Sequence, residues 1–332
     1  IYGVSFGGGK LYLSAEKLGS GALLAPMAGV ADRAMRELCM GFGAIGCIGE
    51  MASSKGISMN DRKTSELLSL SEAERPAGVQ IFGDVPEIMA KSIETCMKYS
   101  PDFIDINMGC PAPKVAGNGG GSALMEDPEK AAEIVNRAVN AVKIPVTVKM
   151  RTGTDFEHIT APRLAVLCEQ AGASAITVHG RTRAQMYAPP VDREIIKKVK
   201  NSINIPVIAN GDITDARSAE DMLKATNCDF LMVGRAARGN PFIFEEINAA
   251  FEGKTYTPPT LEKRLEICLE QIKLMEKYKD PHIAVLESRK HLAWYISGIR
   301  GAAALRRECG EVSSFEDAKR ICEKALEQNA LL

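Results

Sequence analysis

The chain has 332 residues, of which 45% are hydrophobic and 25% charged, and its formal net charge is -1. That length exceeds what one core ordinarily fills, so one large unit plus a smaller one is expected. The near-neutral balance removes any global electrostatic case for nucleic acid and leaves only a local basic face. Nine cysteines are scattered without a Cys-x-x-Cys pair; this argues against a disulfide framework and a structural metal, and fits a reducing, cytoplasmic compartment. No apolar run approaches the roughly 18–20 residues that span a bilayer, so no membrane partner is expected. Ile1-Tyr2-Gly3 opens no signal-peptide pattern.

Gly7-Gly8-Gly9 beside Leu11-Tyr12-Leu13 predicts a hairpin and lead-in over 1–20. From 21 to 253 one pattern recurs: a short apolar run, a polar loop, an amphipathic helix. The runs are Ala22–Pro26, Cys47–Met51, Gly78–Phe82, Phe103–Asn107, Val146–Met150, Ala175–His179, Val207–Asn210 and Phe230–Gly234. Helices are expected between them, for example over 128–142 and 161–171. Most runs lack polar alternation, as strands covered on both faces do. About eight β/α units over roughly 230 residues predict an α/β chain folded as a (β/α)8 TIM barrel, with a doubly wound open sheet as the alternative. Beyond Gly253 the texture changes. Thr257-Pro258-Pro259-Thr260 reads as a linker with a helix N-cap at Thr260. Helices over 261–279, 282–298 and 315–328 then predict a small all-helical domain over 260–332.

Gly41-Phe42-Gly43-Ala44-Ile45-Gly46 spells a dinucleotide fingerprint, but it follows a helix and precedes a strand, so it is read as a helix cap and loop. Asp105 and Asn107 share one face of the fourth strand, and Cys110 lies just past its carboxyl end, where barrel enzymes build their sites. A buried small hydrophobe is the bland reading of that cysteine. At the other strand ends, Pro26-Met27-Ala28 offers a flat floor with little side chain. Gln80 can hydrogen-bond a ring edge. Lys149 is a Schiff-base nucleophile or a positive charge beside an electron-rich ring, against a snorkelling structural lysine. His179 is a ligand donor or a satisfied core imidazole. Asn210-Gly211-Asp212 and Gly234-Arg235 end strands seven and eight, the usual phosphate site of this architecture. A phosphate cradle, a ring-sized floor, a lysine and a proton-giving cysteine together describe an FMN enzyme. In the helical part, Arg289, Lys290 and His291 with Trp294 and Tyr295, then Arg300, Arg306 and Arg307, suit RNA, against a solvated face with two core aromatics.

These residues resemble the tRNA-dihydrouridine synthase family, most closely its bacterial B-type branch. The resemblance runs from Leu23 to about Ala325 and rests on Leu24-Ala25-Pro26-Met27-Ala28-Gly29-Val30, Asn107-Met108-Gly109-Cys110-Pro111-Ala112-Pro113-Lys114-Val115, Val148-Lys149-Met150-Arg151, Val178-His179-Gly180-Arg181-Thr182, Ala209-Asn210-Gly211-Asp212-Ile213 and Val233-Gly234-Arg235-Ala236. It implies reduction of a uridine in the tRNA D-loop, nucleotide 17, to 5,6-dihydrouridine. NADPH, or NADH in its place, would reduce FMN, a hydride would pass to C6 of uracil, and Cys110 would give a proton to C5. Pro26, Met27, Ala28, Gln80, Lys149, His179, Asn210, Gly211, Asp212, Gly234 and Arg235 would hold FMN. Asn107, Arg181, Arg289, Lys290 and His291 would meet the tRNA. No metal is implied, and a monomer is expected. The competing readings are an FMN barrel oxidoreductase acting on a free pyrimidine, as in a dihydroorotate dehydrogenase, a Schiff-base aldolase using Lys149, and a non-catalytic tRNA-binding factor.

Overall fold

The computed structural model describes residues 21–59 and 62–330, so the hairpin expected over 1–20 lies outside the described residues. Nine strand segments follow one another: β1 (Ala22–Leu24), β2 (Cys47–Ile48), β3 (Ala52–Ser53), β4 (Ala77–Phe82), β5 (Phe103–Met108), β6 (Val146–Arg151), β7 (Ala175–His179), β8 (Val207–Asn210) and β9 (Phe230–Val233). All pair in parallel, β9 returns to β1, and β2 bonds to both β1 and β4, so the sheet closes. The fold is the expected (β/α)8 barrel rather than an open sheet.

The second barrel strand departs from expectation, because the run Cys47–Met51 is broken. Ile48 pairs with Gly78 while Ala52 pairs with Ile81. Four steps on one strand thus face three on its neighbour, which is a bulge. Gly49 donates to the Gly78 carbonyl, and the Glu50 carboxylate accepts from the Gly29 amide. The extra residue turns Met51 toward the barrel mouth, where it lines the cavity described below.

Alternation along the strands separates two apolar layers. One set of positions packs under the surrounding helices. The other, including Leu23, Ile48, Phe103, Ala175, Ile208, Phe230 and Met232, forms its own cluster inside the barrel. A Cβ on Gly78 would come within 2.2 Å of the Phe103 ring, so glycine there is what lets the aromatic fill the barrel floor. Helices after the loops start on aspartates: Asp127, Asp192 and Asp215 each accept from the amide three residues on, satisfying a donor the first turn leaves free. The helix Arg33–Gly41 ends at Phe42, whose amide donates to the Leu38 carbonyl. The Gly41–Gly46 stretch is therefore cap and loop, as its context predicts.

The C-terminal part is helical, with Thr260 accepting from the Lys263 amide at the head of Leu261–Tyr278. Pro281–Tyr295, Ala302–Cys309 and Phe315–Asn329 follow. Ala302–Cys309 was not expected, and the preceding helix stops at Tyr295 instead of 298. Gly298 and Gly301 have φ of 82° and 77°, and these left-handed turns separate the shortened helix from the additional one that begins at Ala302. Leu38 and Phe242 of the barrel share a core with Leu265, Leu292 and Tyr295. Polar ties reinforce that junction: Lys279 Nζ donates to Asp32 at 2.6 Å, and the Tyr278 hydroxyl to Glu37 at 2.8 Å.

Candidate active site

The carboxyl ends of the strands surround a cavity of about 980 Å³, lined among others by Pro26, Met27, Ala28, Gln80, Asn107, Cys110, Lys149, His179, Asn210, Gly211, Asp212, Gly234 and Arg235. The registers Gln80↔Asp105↔Thr147 and Asn107↔Lys149 bring inward positions of β4, β5 and β6 side by side. Those of β7, β8 and β9 continue as His179↔Asn210↔Met232.

A directional hydrogen-bond chain runs through the wall. Asn107 Nδ2 donates to Gln80 Oε1 at 2.9 Å, and Gln80 Nε2 donates to Asp105 Oδ2 at 2.7 Å. Thr147 Oγ1 donates to Asp105 Oδ1 at 2.5 Å. Burial raises the Asp105 carboxyl to about 6, although these donors and Lys149 pull it down. The free end of the chain, Asn107 Oδ1, accepts from the Gly109 amide at 3.1 Å and the Cys110 amide at 2.9 Å. The buried amide chain thereby sets the loop that carries Cys110.

All nine cysteines are free, and Cys110 alone is not buried. Partial burial raises its thiol pKa, against opposing pulls from the Ala112 backbone, Arg151 and Lys149. The group is a protonated thiol at neutral pH, which suits an acid and not a nucleophile. Arg151, nearly fully buried, donates from Nε to the Gly109 carbonyl at 2.8 Å and from one terminal nitrogen to the Thr182 and Met186 carbonyls at 2.8 and 2.9 Å. It ties the Cys110 loop to the loop after β7. Sequence reasoning left Arg151 out of the site, although its place two residues after Lys149 on one strand puts both on one face.

Lys149 donates to Asn210 Oδ1 at 3.2 Å, and Asn210 Nδ2 donates to the Met232 carbonyl at 2.8 Å. Burial, then the neighbouring Arg151, lowers Lys149 to about 8. His179 is lowered to about 2 by burial and by Lys149, Arg151, Arg181 and Arg235, so it is neutral. Arg181 approaches its Nε2 at 3.4 Å; a guanidinium only donates, which assigns the ring proton to Nδ1.

Several residues expected at the tRNA lie elsewhere. Arg181 was expected to meet the tRNA but is 1% exposed and lies behind the wall. Its Nε donates to the Ala188 carbonyl at 2.7 Å, and a terminal nitrogen donates to Asp212 Oδ2 at 2.5 Å. His291 is buried in the helical core: its Nδ1 meets Gln271 Nε2 at 2.9 Å, and its Nε2 has no hydrogen-bond partner among the described residues. Tyr295 is buried beside it, its hydroxyl donating to Gln271 at 3.0 Å. His291 and Tyr295 are four apart and share the inward helix face. Arg289 is half-buried, its Nε donating to the Val312 carbonyl at 2.8 Å, while Arg306 and Arg307 are exposed. Lys290 reaches the barrel, its Nζ 4.0 Å from where a Cβ on Gly29 would lie.

Met186, Tyr187 and Arg238 also line the cavity and were not anticipated. They lie farther along the loops after β7 and β9, beyond the strand-end motifs from which the site was read.

The two buried neutral histidines predict a pH dependence. Burial lowers His291 to about 4, so below about 6.5 the unfolded chain binds protons that the folded His179 and His291 refuse, and stability rises with pH in that window. Asp105 acts oppositely, because the fold holds its proton up to about 6. Between pH 4.5 and 6, His291→Gln is expected to flatten the rise by up to about 1.4 kcal/mol per pH unit, one proton's worth. Urea denaturation of both proteins across that range reads the slope difference; equal slopes would mean that His291 titrates normally in the fold.

Comparison with known proteins now bears on this geometry. The family profile described as dihydrouridine synthase matches residues 23–331. A "Probable tRNA-dihydrouridine synthase" of Rickettsia bellii is 39% identical over 313 residues, covering 94% of this chain and 95% of that protein. The "tRNA-dihydrouridine synthase B" of Pseudomonas aeruginosa is 39% identical over 287 residues, 86% of each chain. Its namesake in Vibrio cholerae is 38% identical over 302 residues, 90% of this chain and 94% of that one. With a closed barrel whose strand ends carry the expected signatures, and with relatives of this similarity over nearly the full length, the chain belongs to the dihydrouridine synthase family and to its bacterial B-type branch.

Proposed function

We propose that the chain reduces a uridine of the tRNA D-loop, nucleotide 17, to 5,6-dihydrouridine in the cytoplasm, holding FMN in the barrel mouth and drawing on NADPH, or on NADH in its place. The observation that carries this reading is one cavity that joins a protonated thiol, Cys110, to the cations Lys149, Arg151 and Arg235.

The residues present fit FMN. A Cβ on Gly234 would have only Ala25 and Met27 within 4 Å, at 3.8 and 4.0 Å, so the backbone there is open to a ligand. Gly211 has φ of 130°, and a Cβ would press on His179 at 3.2 Å, so only glycine lets that backbone turn beside the imidazole. Arg235 offers a guanidinium to a phosphate. The Asp212 carboxylate repels such an anion and instead orients Arg181 and Arg235, the latter at 3.0 Å. Asp212 thus serves an anion through the arginines it aims.

Reduced FMN, when bound, supplies the hydride. The chain's own groups do the rest. Lys149, low in pKa yet charged at neutral pH, stabilises negative charge against the cavity floor. Asn107 holds the Cys110 loop at its amides, and Arg151 holds it at the Gly109 carbonyl. The Cys110 thiol gives its proton to C5 of uracil, which must leave its stack to reach the mouth. Lys290 and the exposed Arg306 and Arg307 offer charge to tRNA phosphates. A lowered Lys149 would also suit a Schiff base, but family membership favours reduction.

The test is tRNA from a strain lacking the gene, incubated with the purified protein and NADPH and then mapped by mass. Dihydrouridine at nucleotide 17 is the expected result. Dihydrouridine only elsewhere in the D-loop would overturn the position. No dihydrouridine, from a protein that takes up no FMN, would overturn the reaction.

A further inference from the structure

Arg238 is the cation of the cavity wall that the roles above do not use. It follows the short turn Arg235–Ala237 and lines the cavity beside Arg235. Its Nε donates to the Arg235 carbonyl at 3.1 Å. No carboxylate pairs with it, and its other N–H groups have no acceptor, among the described residues. Its guanidinium lies over the Trp294 ring, 5.0 Å from the centroid. Trp294 belongs to the helical part, so this contact crosses the junction. The separation is fixed by backbone: a Cβ on Gly239, next in sequence, would come within 2.6 Å of the Trp294 carbonyl carbon. Arg235 is only partly neutralised, since the Asp212 carboxylate that meets it also takes Arg181. Two guanidiniums that line one cavity three residues apart, one of them with most donors unused, repel one another unless an anion lies between. An indole face can hold a guanidinium in place without neutralising it.

We propose that Arg235 and Arg238 form a paired-cation seat for a phosphate oxyanion, and that Trp294 completes it across the junction by holding Arg238 in position. The inference rests on the functional reading only for the identity of the occupant, the monoester of FMN or a phosphodiester of tRNA. Trp294 is a positioning residue, and as the only tryptophan of the chain it also reports on the seat.

The experiment titrates inorganic phosphate into the full chain freed of flavin and follows Trp294 fluorescence. A saturable change is expected, with phosphate affinity falling roughly 10–100-fold in Arg238→Gln, the usual worth of a charge-assisted hydrogen bond. Arg238→Lys, which keeps the charge but loses the planar fork, should recover part of it. If FMN weakens by the same factor in Arg238→Gln while riboflavin does not, the monoester is the occupant. If FMN is unchanged but tRNA binding to the flavin-loaded protein weakens and its salt slope drops by about one, the occupant is RNA. Phosphate, FMN and tRNA affinities all within twofold of wild type would overturn the seat. For Trp294, equilibrium dialysis replaces fluorescence. Trp294→Leu should weaken phosphate, and the double variant should be no worse than Arg238→Gln alone; additive losses would overturn the positioning role. Arg238-dependent phosphate binding in a protein that makes no dihydrouridine would keep the seat and remove the reaction.

Discussion

Cys110→Ala is expected to slow reduction of tRNA by roughly 10²–10⁴-fold, the range for losing a positioned general acid, with FMN binding retained. The thiol is half-buried and raised in pKa, hence protonated, and the loop that presents it is set by bonds to the Gly109 and Cys110 amides and the Gly109 carbonyl. Alanine keeps every one of these, so the scaffold survives and only the proton is lost. Reduction of bound flavin by NADPH involves no uracil and should run near its normal rate, whereas reoxidation by tRNA should carry the whole defect. Cys110→Ser should also be slow, since a hydroxyl is a far weaker acid. Stopped-flow absorbance of the flavin separates the two steps. A wild-type rate of reoxidation in Cys110→Ala would eliminate the acid role.

The barrel was legible because each strand is a short apolar run covered on both faces, and the runs recur at β/α spacing. Sites at strand ends were legible for the same reason: a strand end is a place that sequence can name. Asn107, Lys149, His179 and Asn210 sit there, and their registers bring them together. What sequence could not supply was direction and distance. Arg181 lies just past the end of β7, but its partners, Ala188 and Asp212, lie in loops that meet it only in three dimensions, so a reach toward substrate and a buried tie look alike. In the helical part, interleaved cations and aromatics were read as one surface. Helical periodicity divides them, with His291 and Tyr295 inward on Gln271, and Lys290 and Trp294 on the adjoining face toward the barrel. The break in the second barrel strand comes with a contact between Glu50 and the Gly29 amide, and no local pattern encodes a pairing so distant in sequence.

Asn107→Ala is expected to lower both turnover and stability, and the two losses can be separated. Removing the amide frees the Gly109 and Cys110 N–H groups. A thiol that drifts by an ångström can cost on the order of 10²-fold in rate. The same change strips Gln80 Oε1 of its donor inside the wall, and an orphaned buried acceptor costs about 1–3 kcal/mol. Asn107→Asp distinguishes the two effects. Its carboxylate still accepts from both loop amides, so the thiol should stay in place and turnover should recover much of its loss. It cannot donate to Gln80, and it adds a second carboxylate two positions from the buried Asp105, so its stability should be no better than that of Asn107→Ala above pH 6, where Asp105 is ionised. Below that, a protonated Asp105 can donate to Gln80 and let the chain run in reverse, so Asn107→Asp should regain stability as the pH falls toward 5. Urea midpoints at pH 5 and 8, taken with turnover of both variants, give the answer. Equal turnover in the two variants would mean that Asn107 does not act by setting the Cys110 loop.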